Sequence, residues 1–227
     1  MTKTLLLNFV KGILAGLAIG VGGFLYILMT WAIKGQAGQI LGSILFSVGL
    51  FTVCTFYLSL YTGKIGLVFE KKQEKSFYLS LPIMLVGNAI GAVGLGYICY
   101  AIFKDMEIFE RVQAVCNARL GMGEADGIFA CVIKSFLCGL CVYLAVKAFG
   151  MDRLKPLGIC MLVFFVFVFV YCGFEHCVAN MFYFSFGNSW VNANSFIDLI
   201  LCIIFNSLGT IPGVLLFKMV KKDGQKN

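Results

Sequence analysis

Charge is what this sequence has least of. Asp, Glu, Lys and Arg make up 13% of its 227 residues, apolar residues make up 60%, and the mean hydropathy is +0.94. A water-soluble domain of this length cannot bury that much apolar surface, whereas runs of about twenty apolar residues suit a bilayer. Proline is scarce as well: there are three, and no Asn-Pro-Ala, which excludes a neutral-solute channel of the aquaporin type. Histidine occurs once, and no Ser/His/Asp or metal-ligand spacing surrounds it.

What is present sorts into long apolar runs separated by short charged clusters. The runs span about 9–33, 38–70, 78–103, 125–149, 156–187 and 195–219. The chain therefore reads as an all-α membrane protein of six segments in one domain over 1–227. The N-terminal stretch resembles a signal peptide, but Lys11 interrupts its apolar core and the run continues to Ile33, so it is taken as the first membrane helix. Nine of the ten cysteines, all but Cys116, lie in or beside apolar runs, where Cys acts as a small hydrophobe. Cys138 and Cys141 form a C-x-x-C with no second pair, so neither zinc nor redox chemistry is expected.

The net charge of +7 is explained by topology rather than by nucleic acid. With the N-terminus inside, twelve Lys and Arg residues fall on the cytoplasmic side, among them Lys3, Lys11, Lys71, Lys72, Arg153, Lys155 and Lys226. Four fall on the other side, Lys34, Lys104, Arg111 and Arg119, while Lys64 and Lys134 lie within or near the membrane. By the positive-inside rule both termini are cytoplasmic and the 104–124 loop is outside. A multi-pass protein of the cell (inner) membrane follows.

Two of the runs, the second and the fifth, are longer than one crossing needs and carry mid-run polar clusters, Thr62-Gly63-Lys64 and Gly173 to Asn180. Such interruptions survive at membrane depth only where they face protein or a water-filled cavity. The second cluster holds the only histidine, His176, next to Glu175 and after about fourteen apolar residues. An ionisable pair at that depth points to a solute path. The competing reading is a packing histidine held by backbone carbonyls.

The halves of the chain echo each other. KGILAGL (11–17) matches KSFLCGL (134–140) at an offset of 123, and GNAIG (87–91) matches FNSLG (205–209) at 118. Three segments per half is odd, so the repeats, about 9–103 and 125–219, insert with opposite orientation, as in transporters whose broken helices meet near the midplane. Lys11 and Lys134 then sit in opposite vestibules, where they either attract anions or merely snorkel. Asn88 and Asn206, beside their glycines, are expected to hold close helix contacts or bond a broken segment.

KGILAG (11–16), LSLYTG (58–63), GNAIG (87–91) and above all GFEHCVANMF (173–182) resemble the formate/nitrite transporter family. The resemblance implies an aquaporin-like fold of six helices with helices two and five broken, and a homopentamer with a pore in each protomer. It implies a channel or transporter for small monovalent weak-acid anions of the formate, nitrite or hydrosulfide class, without a cofactor and without enzymatic activity. It places Thr62 opposite His176 and makes Leu60, Phe169, Phe46 and Leu50 apolar constrictions. Lys64 departs from the family pattern, and either snorkels along 65–70 or points toward His176. Glu175 is read as an anchor of the broken backbone, with Asn180 beside it.

A bare anion loses several kcal/mol on entering such a pore, so His176 either supplies a proton or only a hydrogen bond. Two rivals remain: a proton-coupled secondary transporter of a larger monocarboxylate such as lactate on the same fold, and, more remotely, a membrane enzyme using Glu175, His176 and Cys177.

Overall fold

The structure is a computed structural model and describes residues 2–120, 125–151 and 155–224. Arg153 and Lys226, two of the twelve cations behind the expected orientation, lie outside the described residues. Among the described residues all regular structure is helical.

Helix α1 (Thr2–Ala32) begins well before the expected start at residue 9 and includes Lys3 and Lys11. Helix α2 (Gln36–Thr55) is followed by a break at 56–60 and two stubs, α3 (Tyr61–Ile65) and α4 (Leu67–Glu70). Helix α5 (Lys75–Phe103) keeps Pro82 inside its second turn. Helix α6 (Ile108–Leu120) occupies the segment expected to be a loop. Helices α7 (Ala125–Phe149) and α8 (Lys155–Tyr171) follow. After a second break at 172–176 come α9 (Cys177–Phe186), α10 (Ala193–Leu208) and α11 (Thr210–Gly224).

Among the described residues five spans are long and apolar enough to cross a membrane: Lys3–Ala32, Gln36–Thr55, Lys75–Phe103, Gly127–Phe149 and Ala193–Met219. The expected fifth crossing is divided between α8, of 17 residues, and α9, of 10. Neither alone reaches the roughly twenty residues of a straight crossing.

Both breaks differ in position from the sequence expectation. Thr62, Gly63 and Lys64 are inside α3, and the non-helical backbone precedes them. Asn180 is inside α9. In each case a side-chain amide captures the first N–H of the resumed helix: Asn88 Oδ1 accepts from Tyr61 N at 2.8 Å, and Asn206 Oδ1 accepts from Cys177 N at 3.0 Å. Backbone groups at a helix start have no partner within the helix, so these amides decide where the chain becomes helical again.

Small residues let the helices approach closely enough for those amides to reach. A Cβ on Gly16 would collide with the carbonyl of Asn88, and a Cβ on Gly139 with the carbonyl of Asn206. In lipid, where burial of apolar surface adds little, such close backbone packing holds helices together.

The 104–124 segment needs a correction. Its helix α6 buries Ile108, Val112, Val115 and Cys116, spaced so that they share one face. Cys116 is fully buried and its Sγ donates to the carbonyl of Tyr183 at 3.2 Å. Contrary to the sequence expectation it belongs with the buried cysteines, so a thiol reagent would not reach it from the outside.

Candidate functional site: two breaks joined by a histidine and a threonine

The second break meets the helix that follows the first in the protein interior. His176 closes the second break and caps α9: its Nδ1 accepts the backbone N–H of Ala179 at 3.2 Å. Its Nε2 lies 2.9 Å from Oγ1 of Thr62, in α3. An imidazole nitrogen that accepts carries no proton, so the neutral ring holds its proton on Nε2 and donates it to Thr62. The Thr62 hydroxyl hydrogen is then left to donate elsewhere. A doubly protonated ring would set Nδ1–H against the N–H of Ala179, donor against donor, and would have to surrender that cap. Thr62 and His176 are each 2% exposed, and the layer they form is closed.

Cavities lie on either side of this layer. On the side away from the termini, a cavity of 180 Å³ reaches His176 and Glu175 and is bordered by Lys134, Phe46 and Phe169. Phe46 and Phe169 meet edge to face at 5.6 Å, and the Phe169 ring stacks on His176 at 5.9 Å. On the side of the termini, Lys11 and Lys64 border a cavity of 620 Å³ together with Asn8 and Ser59. A neighbouring cavity of 340 Å³ is bordered by Leu60, Val53 and again Lys64. Lys64 is half-buried in α3 and opens to the terminal side; the cavity that reaches His176 does not include it. Leu50 is buried in the core and borders none of these three cavities.

Glu175 bonds to a partner that its neighbours in sequence do not reveal. Its Oε2 lies 3.1 Å from Nε of Arg119, carried by α6, and accepts from Nδ2 of Asn180 at 2.9 Å. Arg119 Nε also donates to Asn180 Oδ1 at 3.0 Å, and its guanidinium lies over the Tyr183 ring at 4.7 Å. The same Asn180 amide donates to Asp198 Oδ1 at 2.7 Å, and Cys131 Sγ donates to the other oxygen at 3.3 Å. The Glu175 carbonyl accepts from Nδ2 of Asn206 at 2.8 Å and from Sγ of Cys202 at 3.1 Å. The side chain and the backbone of Glu175 are thus held separately, one by α6 and α9 and the other by α10. The side chain of Cys177 is buried beside them.

Sequence reasoning overlooks Asp198, although the signal is present. It is the one acidic residue between Glu175 and Asp223, inside an apolar run, and an intramembrane carboxylate invites a functional or pairing role. The charge count treats Arg119 only as an outside cation, because the 56 residues to Glu175 conceal the pair. Among the described residues no group of three or more metal-ligating side chains comes together.

The Asn88 side chain completes a bonding pattern already met in Asn206. Asn88 Nδ2 donates to the carbonyls of Gly12 and Ser59, each at 2.9 Å. Asn206 Nδ2 donates to those of Ser135 and Glu175, each at 2.8 Å. Each amide thereby ties together a break, an adjacent helix and its own helix.

Comparison with known proteins agrees with this fold. The model of the formate/nitrite transporter family matches residues 1–221. The chain is 28% identical over 184 residues to the uncharacterized transporter YrhG of Bacillus subtilis (strain 168), covering 76% of this chain and 68% of that protein. Its fold is similar to that of a pentameric formate channel with formate bound, with a TM-score of 0.78 at 22% identity, covering 98% of this chain and 97% of that one. An ion channel of the FNT family aligns with a TM-score of 0.72 at 18% identity, over 92% and 86% of the two chains. These relatives are channels and transporters rather than enzymes. With the family model matched over nearly the whole length and, among the described residues, five spans long and apolar enough to cross a bilayer, this chain is a multi-pass membrane protein that belongs to the formate/nitrite transporter family.

Proposed function

We propose that the protein is a pentameric channel or transporter for small monovalent weak-acid anions, of the formate, nitrite or hydrosulfide class, with one path through each protomer. The observation that carries this reading is the Nε2–Oγ1 bond of His176 and Thr62, set between cavities that each have lysine in their walls. The cations, Lys134 on one side and Lys11 with Lys64 on the other, raise the local concentration of anions. Phe46 and Phe169 narrow the path on the side away from the termini, and Leu60 narrows it on the terminal side. A bare anion in such a layer loses several kcal/mol of hydration, so the solute crosses as the acid or under a strong hydrogen bond.

The tautomer argument favours the hydrogen bond. With Nδ1 committed to Ala179, the ring donates through Nε2 to Thr62, and the Thr62 hydroxyl is oriented to donate onward to a solute oxygen or sulfur. The proton then arrives from water as the anion leaves the cationic cavity. The two halves act as inverted repeats, 9–103 and 125–219 in one domain, a reading supported by the matching bonds of Asn88 and Asn206. Both termini face the cytoplasm of the cell membrane, in keeping with the lysine and arginine count.

Flux into proteoliposomes of formate, nitrite, hydrosulfide and lactate at two pH values tests the proposal. Wild type is expected to pass at least one of the three smaller anions, faster at the lower pH. Thr62→Val and His176→Asn are expected to remain assembled while changing the rate or its pH profile several-fold. Failure to pass any of the small anions overturns the reading, and assembled variants with unaltered rates and profiles return His176 to a packing role.

A further inference from the structure

The cavity that reaches His176 has three cations in its wall, and they are not equivalent. One face of α6 lines it, through Arg111, Ala114, Val115, Ala118 and Arg119, and Lys134 enters from α7. The charge of Arg119 is answered by Glu175, and its Nη1 is bonded to the carbonyl of Val115 at 3.0 Å. Lys134 is a compact ammonium able to approach any anion.

Arg111 has a different arrangement. Its Nε donates to Oγ1 of Thr30 at 2.9 Å. The Thr30 hydroxyl itself bonds back to the carbonyls of Tyr26 and Ile27, at 2.9 and 3.1 Å, so its oxygen is already oriented to receive Arg111. The side edge of the guanidinium is therefore occupied. The end edge, Nη1 with Nη2, makes no hydrogen bond or ion pair to the described residues. Glu107 and Glu110 border a recess of 800 Å³ that Arg111 also touches, but neither comes within ion-pair distance of it.

A guanidinium fixed along one edge and open at its end is a fork for two parallel N–H···O bonds. Its geometric complement is a planar anion with two oxygens on one atom. Formate, other small carboxylates and nitrite have that shape; hydrosulfide and chloride offer a single atom to one donor. We propose that Arg111 is a specificity-determining residue at the entrance away from the termini, which takes a planar two-oxygen anion end-on and favours it over hydrosulfide. The cavity has room for such an anion with a few waters at 180 Å³, and Lys134 in the same wall offers a second positive charge. This inference rests on the functional reading given above and narrows its substrate class.

The test compares formate, nitrite and hydrosulfide influx into proteoliposomes at one pH, for wild type, Arg111→Lys, Arg111→Gln and Thr30→Val. Arg111→Lys keeps the charge and loses the fork. It is expected to lower the formate-to-hydrosulfide and nitrite-to-hydrosulfide rate ratios about tenfold, the worth of one charge-assisted bond. Arg111→Gln is expected to slow all three anions. Thr30→Val keeps the side-chain shape and releases the Arg111 anchor, and is expected to shift both ratios in the same direction by a smaller factor. Ratios that stay at the wild-type value in Arg111→Lys, even with lower overall rates, overturn the inference; if that variant does not assemble, unchanged ratios in Thr30→Val overturn it. A wild-type protein that passes none of the anions overturns the functional reading and this inference with it, whereas wild-type flux with unmoved ratios overturns this inference alone.

Discussion

The breaks after α2 and after α8 have the same anchor in different settings. At the first, Asn88 bonds Gly12, Ser59 and Tyr61; at the second, Asn206 bonds Ser135, Glu175 and Cys177. Beyond the anchors the likeness ends. The first break follows a helix of 20 residues and resumes in stubs of five and four. The second follows 17 residues and resumes in a helix of ten, every one of them buried. The ion pairs differ in the same sense. Glu70, at the end of the two stubs, and its partner Lys147 on α7 are 23% and 30% exposed, whereas Arg119 and Glu175 are 13% and 4% exposed. Broken backbone at membrane depth has one recurrent requirement, partners for its N–H and C=O groups, and the same amide meets it twice. The buried carboxylates, Glu175 and Asp198, are at the second break, and what the first brings to the closed layer is the hydroxyl of Thr62.

The largest effect expected from breaking this comparison comes from the anchors. Asn88→Leu and Asn206→Leu each remove three hydrogen bonds, at roughly 0.5–1.5 kcal/mol apiece, and leave the first N–H of the resumed helix without its partner. Comparable losses of several kcal/mol are expected in both, read as purified yield and as melting temperature in detergent. A severe loss in one and a mild loss in the other would show that the two anchors are not equivalent.

A smaller but still large effect is expected at the second ion pair. Arg119→Ala leaves Glu175 buried without its cation, a change of about 3–5 kcal/mol. The double variant Arg119→Ala with Glu175→Gln is expected to recover part of the lost melting temperature, because it removes the stranded charge. No recovery would mean that Arg119 matters through packing against Tyr183.

The smallest effect is expected at the first pair. Glu70 also accepts from the Tyr143 hydroxyl at 3.0 Å, so Lys147→Ala leaves it partnered and near solvent. A change below about 1 kcal/mol follows from the usual worth of exposed pairs. A melting-temperature loss as large as that of Arg119→Ala would remove the distinction between the two breaks.

Some of this is legible in the sequence and some is not, for identifiable reasons. Apolar runs and mid-run polar clusters reveal both interrupted segments, because charge beside glycine deep in an apolar run marks backbone that cannot face lipid. The points of interruption are misplaced by a few residues at Thr62-Gly63-Lys64, since a turn-like string is helical when Asn88, 27 residues on, takes the first N–H. Helix α6 is concealed by its charges, although Ile108, Val112, Val115 and Cys116 have helical spacing. The Arg119–Glu175 pair, the Asn180–Asp198 bond and the fixed edge of Arg111 join residues from separate helices, and no local pattern encodes them.

Sequence by itself determined that the chain is helical, lives in lipid and resembles one transporter family, because hydropathy and a ten-residue motif around His176 are local and dense in information. Tertiary structure alone decided which proton-bearing atom of His176 meets Thr62, which cation answers Glu175, and which arginine keeps an open edge. Those outcomes depend on distances of about 3 Å between segments remote in the chain, and in a medium that offers no water as a substitute partner each such distance settles where a polar group goes.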